Sequence, residues 1–104
     1  MRVDESASDS EQRLRLGEVL EVALAETRTA GYRWRIVADG APACRVEADR
    51  PEPPGTTVPG APGRRVFRFA AVARGTGLVE LRSERSFGGG APSRRFILRI
   101  VVEG

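Results

Sequence analysis

The chain has 104 residues, the length of a single small domain. All 17 of its basic side chains are arginines, and the chain has no lysine, no histidine and one cysteine, Cys44. This composition excludes histidine-activated nucleophiles and lysine Schiff bases. It also excludes internal disulfides and zinc sites built from paired cysteines. The formal net charge is only +3, so the pI near 10.3 reflects the high pKa of arginine and is a weak indication of a nucleic-acid partner.

The start of the chain is mostly polar and acidic, and we expect residues 1–12 to form a disordered tail before a folded domain at residues 13–104. This segment lacks the basic and apolar regions of a signal peptide. No apolar stretch approaches the ~20 residues of a membrane span. The sequence as given therefore predicts a cytoplasmic protein without a membrane partner.

Apolar and polar side chains alternate through most of the remaining chain, a pattern typical of strands with one buried face. The alternation predicts that the ring of Trp34 is buried. We expect Cys44 to be a small buried side chain and not a reactive thiol. About seven strands in a chain of this length predict an all-β domain, an immunoglobulin-like β-sandwich. The predicted strands lie near residues 14–16, 19–24, 32–37, 44–49, 67–73, 79–81 and 96–102.

Most arginines fall on outward-facing positions of these strands, where their aliphatic stems can cover the sheets. A phosphate-binding face would need a clustered patch of basic side chains. The only adjacent basic pairs are Arg64-Arg65 and Arg94-Arg95, and no aromatic stacking platform accompanies them. We therefore expect no nucleic-acid partner.

The connections between the strands differ in length at the two ends of the predicted sandwich. Successive connections of an antiparallel sandwich alternate between its ends. One end receives short links at residues 17–18, 38–43 and 75–77, the last being a Gly75-Thr76-Gly77 turn, and the other receives long ones at residues 26–31, 50–63 and 85–93. Three long loops on a rigid sandwich indicate a recognition surface. The plainer interpretation is that they are three solvated connections without a function, because the entropic cost of closing a loop rises only slowly with its length.

The first long loop and the strand after it read AETRTAGYRW at residues 25–34, and this segment resembles the NPTTGYxW motif of the chagasin-like inhibitors of papain-family cysteine proteases. The chain has Thr27 and Arg28 in place of the asparagine and proline of that motif. Residues 60–63 and the strand after them are similar to the glycine-containing second loop of the family. Arg85-Ser86-Phe87 stands where the family has an RPW sequence. The resemblance covers about residues 14 to 102.

The resemblance implies a reversible inhibitor that blocks the active-site cleft of a papain-family cysteine protease with the loops at 26–31, 50–63 and 85–93. The first loop would lie near the catalytic cysteine, and the other two would contact the two sides of the cleft. We expect a monomer with no catalytic residue, metal or cofactor. The family also suggests export, in contrast to the visible start of the chain. The protease-binding residues that the resemblance implies are Thr27, Arg28, Thr29, Ala30, Gly31, Tyr32, Gly60, Gly63, Arg85 and Phe87.

Other functions remain open from the sequence. A non-inhibitory binding or adhesion module could use the same end of the sandwich for another protein or a glycan, and a basic nucleic-acid binder is the third hypothesis. The carboxylates of Asp39, Asp49, Glu52 and Glu84 could supply a hydrolytic pair, but the sequence gives them no cleft and no partner group, so we expect no enzyme.

Overall fold

The computed structural model describes residues 1–26, 31–55, 61–85 and 94–104. In these ranges the chain forms eight strands and one 3-10 turn at Glu5–Ala7. The strands are β1 (Arg2–Val3), β2 (Ser10–Arg15), β3 (Val19–Glu26), β4 (Tyr32–Asp39), β5 (Cys44–Glu52), β6 (Gly63–Ala71), β7 (Gly75–Arg85) and β8 (Arg94–Glu103).

The strands form two sheets of four, in the orders β1-β3-β6-β5 and β2-β8-β7-β4. Pairing is antiparallel except at the amino-terminal strands, where β1 runs parallel to β3 and β2 runs parallel to β8. The predicted all-β sandwich is therefore confirmed, with one strand more than the sequence predicted. No helix of the described ranges is long and apolar enough to span a membrane.

The core lies between the two sheets and follows the alternation of the sequence. Every second residue of β3 and β8 is fully or nearly fully buried, and the intervening side chains are more exposed for most of their length. The ring of Trp34 is buried as predicted, with 6% of its surface exposed. The largest fully buried side chains of this core are Leu14, Leu20, Leu24, Phe67, Phe69, Leu81, Phe96, Leu98 and Ile100.

The structure corrects the expectation of a disordered tail at residues 1–12. This segment runs along both sheets: the amide of Glu21 donates to the carbonyl of Met1 (2.8 Å), and that of Asp9 donates to the carbonyl of Ile97 (2.6 Å). Val3 and Ala7 pack against the core. Backbone pairing needs no apolar side chains, so a polar segment can bond to the open edges of β3 and β8.

The outer face of the first sheet carries a network of ion pairs. Arg2, Arg50 and Arg68 each lie within 4 Å of Glu21, at 3.7, 3.4 and 3.6 Å, and they also pair with Glu52 or Glu47. The hydrogen bond from Arg2 lowers the pKa of Glu52, because it stabilises the ionised carboxylate. The three arginines of this network are matched by three carboxylates, as expected for solubilising arginines.

The predicted turn at Gly75-Thr76-Gly77 is also wrong, because these residues are the first three of β7 and the turn lies at residues 72–74. Glycine is required at position 77 for a packing reason. A Cβ there would overlap with the carbonyl oxygen of Gly40. That carbonyl accepts from the amide of Cys44 (2.9 Å), and the amide of Gly40 donates to the carbonyl of Leu78 (3.0 Å), so the two segments are held in contact.

Replacing Gly77 with alanine is expected to destabilise the fold by about 2 kcal/mol or more, because the new methyl group forces the Gly40 segment away. Urea unfolding followed by Trp34 fluorescence measures the change. Gly55→Ala is the matched control: among the described residues, a Cβ at Gly55 has no neighbour within 4 Å, so its effect should stay within about 0.5 kcal/mol. Equal stabilities of the two variants would contradict the close contact.

Cys44 is expected to be inert in the folded protein. Its side chain is buried, burial raises the pKa of its thiol, and the carboxylate of Asp39 raises it further. A thiol-specific reagent at pH 8 should label the native chain only at the rate of unfolding, and should label it rapidly in urea. Rapid labelling of the native chain would show that Cys44 is accessible.

Candidate functional site

The strand ends that flank the three long connections lie together at one end of the sandwich. In the first sheet, Glu26 pairs with Gly63, and Glu52 pairs with Arg64. In the second sheet, Tyr32 pairs with Arg85, and Arg94 pairs with Ser83. The connections run over residues 27–31, 53–62 and 86–93, so the second is shorter than the predicted 50–63 because residues 50–52 belong to β5. We call these six strand ends the loop platform.

The site residues implied by the resemblance divide into two groups. Three of them lie on the platform, where the backbones of Tyr32 and Arg85 pair between β4 and β7 and Gly63 begins β6. A fourth, Gly31, directly precedes β4. Gly31 is buried and has a φ of 84°, a left-handed conformation that favours glycine. Tyr32 is half-buried. The residues outside the described ranges are Thr27, Arg28, Thr29, Ala30, Gly60 and Phe87.

Gly63 also has a structural role at the root of the second connection. A Cβ at this position would lie 2.9 Å from the carbonyl oxygen of Glu52 and 3.6 Å from Cδ of Pro54. The close approach of the two chain segments therefore requires glycine. The strands on either side of the second connection are held near each other at this point.

The peptide of Ala25 is held from three directions just before the first connection. Its amide donates to a carboxylate oxygen of Glu5 in the 3-10 turn (2.6 Å). Its carbonyl accepts from the indole nitrogen of Trp34 on β4 (2.8 Å) and from the guanidinium of Arg94 on β8 (3.2 Å). Arg94 also lies over the Trp34 ring, 5.5 Å from its centroid, within the range of a cation–π contact.

Glu26 extends this arrangement into the core. Its side chain is 2% exposed and occupies the inward position that follows Leu20, Val22 and Leu24 in the alternation of β3. A carboxylate oxygen of Glu26 accepts from the backbone amide of Trp34 (2.9 Å). β4 is the edge strand of its sheet and has β7 on one side only. The Glu26 carboxylate therefore supplies an acceptor on the open side of β4, where no described strand pairs with it. We call Ala25 and Glu26, with their partners Glu5, Trp34 and Arg94, the Ala25–Glu26 anchor.

Most of the anchor could not be predicted from the sequence. The sequence places Glu5 in a polar segment, Glu26 at the start of a long connection and Arg94 in an adjacent basic pair. The alternation of β3 could have found Glu26, because this residue continues the inward parity of three apolar side chains. Glu5 and Arg94 gave no local signal, since their contacts depend on the packing of distant segments.

Acidic side chains near this end pair with arginines. Within the described ranges, no group of three histidine, cysteine or acidic side chains could hold a metal ion. The candidate hydrolytic carboxylates are dispersed: Asp49 pairs with Arg65 (2.5 Å), Glu52 with Arg2 (2.7 Å) and Glu84 with Arg35 (3.0 Å).

Comparison with known families gives one match. The model of the family described as chagasin family peptidase inhibitor I42 matches residues 13–100. No curated protein sequence matches the chain.

Solved structures with the same fold include three proteins of low sequence identity. Amebosin is 20% identical, with a TM-score of 0.77, over 98% of this chain and 96% of that one. The cysteine protease inhibitor EhICP2 from Entamoeba histolytica is 17% identical, with a TM-score of 0.82, over 98% and 94%. PbICP-C, solved in complex with falcipain-2, is 15% identical, with a TM-score of 0.74, over 98% of each chain.

Glu26→Leu is expected to destabilise the protein by about 1–3 kcal/mol, because it leaves the buried amide of Trp34 without its acceptor. Urea unfolding measures the loss, and hydrogen exchange should show the Trp34 amide exchanging faster. Glu26→Gln is the matched control, since its amide oxygen can accept the same bond, and its loss should be smaller. If Glu26→Leu were as stable as the parent, the bond to Trp34 would not stabilise the fold.

Proposed function

The chain belongs to the chagasin family of peptidase inhibitors, and we propose on this basis that it inhibits papain-like cysteine proteases reversibly by placing three loops in their active-site cleft. The loops are those that join the strand ends of the loop platform. The first, with Thr27, Arg28, Thr29, Ala30, Gly31 and Tyr32, lies near the catalytic cysteine of the target. The second, with Gly60 and Gly63, contacts one side of the cleft, and the third, with Arg85 and Phe87, contacts the other.

The Ala25–Glu26 anchor is the observation that best supports this proposal. It joins the root of the first loop to β4 through Trp34 and to β8, where the third loop ends, through Arg94. Strand pairing joins the same root to Gly63, at the end of the second loop. Loops whose ends are fixed relative to one another lose less conformational entropy on binding, which favours affinity.

The residue types of the loops suit a protease cleft. Small residues in the first loop admit a close approach of its backbone to the catalytic centre. An arginine and an aromatic side chain in the third loop are the types that most often anchor protein interfaces. A complex of this kind buries on the order of 1,600 Å² in total.

The similar structures agree with this choice of target. EhICP2 is a cysteine protease inhibitor, and PbICP-C was solved with falcipain-2 bound. Inhibition by this chain would require only shape, hydrogen bonds and a few anchoring side chains. A composition without histidine or lysine lacks nothing that this task needs.

Titration of papain with the protein, followed with a fluorogenic peptide, is expected to show reversible inhibition. Thr29→Arg should weaken inhibition by about 100-fold or more, because a long side chain at the centre of the first loop prevents its close approach. Thr76→Arg is the matched control. Thr76 is exposed on β7 near the opposite end of the sandwich, so the same substitution there should leave inhibition unchanged.

Two results would contradict the proposal. Full papain activity at micromolar protein would exclude inhibition of this enzyme and favour a module that binds another protein or a glycan. Equal weakening by Thr29→Arg and Thr76→Arg would show that the first loop does not approach the protease.

A further inference from the structure

Strand register places three arginines side by side across the second sheet. Arg95 on β8 pairs with Arg82 on β7, and Arg82 pairs with Arg35 on β4. Their neighbours Trp34, Leu81, Ser83 and Phe96 are buried, so the three arginines point to the outer face. Adjacent strands lie about 4.8 Å apart, which gives the row a length of about 10 Å.

A fourth arginine extends this row toward the loop platform. Arg33 lies two residues from Arg35 on the same exposed face of β4. We call Arg33, Arg35, Arg82 and Arg95 the arginine face. It lies on the side of the sandwich, so its use does not block the loop end.

On β4 and β7, the acidic side chains that the register places beside these arginines are Glu80 and Glu84. On the other side of β8, β2 places Glu11 opposite Arg99. Glu84 binds Arg35 through two hydrogen bonds of 3.0 and 3.2 Å, and Glu80 pairs with Arg82 at 3.1 Å. Arg33 and Arg95 form no ion pair within the described ranges. Positive charge therefore remains in excess among the four arginines of this face and the two carboxylates that pair with them.

Such a row is electrostatically unfavourable where its arginines, such as Arg33 and Arg95, have no acidic partner among the described residues. Like charges directly opposite each other on neighbouring strands repel. The hydrogen bond from Arg35 lowers the pKa of Glu84 and keeps it ionised, but two carboxylates cannot balance four guanidinium groups. An external anion that bridges adjacent arginines would remove the repulsion.

We propose that the arginine face binds a linear sulfated polysaccharide. Guanidinium groups present paired N–H donors that match the oxygens of sulfate, and a flat, open row suits a chain with repeated anionic groups. The described residues of this face include no aromatic side chain, so they offer no platform on which nucleic-acid bases could stack. Binding would hold the protein on a sulfated polymer while the loop platform stays accessible.

Calorimetric titration with a heparin oligosaccharide in 0.15 M NaCl tests the proposal. The parent protein is expected to bind, and the double variant R33Q/R95Q should bind at least about tenfold more weakly, because it loses two charge-assisted contacts. The matched control R45Q/R74Q removes the same charge from exposed arginines away from the arginine face, and should change affinity less than about twofold. Urea unfolding of each variant checks that it is folded.

Three results would overturn the proposal: no binding of heparin by the parent protein, equal weakening by the two double variants, or tighter binding to single-stranded DNA or phosphatidylserine vesicles than to heparin. The second would assign the affinity to net charge alone, and the third to a different class of ligand. Papain inhibition is measured separately with the same variants. A failure of inhibition would not change the heparin result, because the two activities use different surfaces.

Discussion

The Ala25 peptide is the point at which the separate parts of the molecule meet. Its amide is bonded by Glu5 from the amino-terminal segment, and its carbonyl by Trp34 and Arg94 from the second sheet. Sandwich sheets are otherwise joined through side-chain packing, which sets their separation but constrains direction weakly. Hydrogen bonds to the backbone of this one residue connect the two sheets and the amino-terminal segment at the loop end, beside the strand ends of the loop platform.

The sequence predicted the elements that follow a simple period. Alternation identified the core strands, the buried ring of Trp34 and the buried thiol of Cys44, all of which the structure confirms. It failed at residues 1–12, because backbone pairing to an open edge leaves no mark in side-chain composition. It also failed at Gly77, where glycine serves a contact with Gly40 and not a turn.

The site was less predictable than the fold because its contacts join residues far apart in the chain. The strand ends of the platform follow from alternating connections, whereas the bond from Glu5 to Ala25 depends on a segment that appeared unstructured. The arginine face could not be found by searching for adjacent basic residues. Arg35, Arg82 and Arg95 become neighbours only through the pairing of three strands.

The parallel pairing of β2 with β8 has a mechanical consequence. Six residues of β2 are in register with β8, from Ser10 opposite Leu98 to Arg15 opposite Glu103. A force that pulls the start of β2 and the end of β8 in opposite directions acts along both strands. The inter-strand hydrogen bonds are then loaded together in shear, whereas pulling on a hairpin breaks its bonds one after another. The sandwich should therefore resist extension more strongly than a meander of the same size.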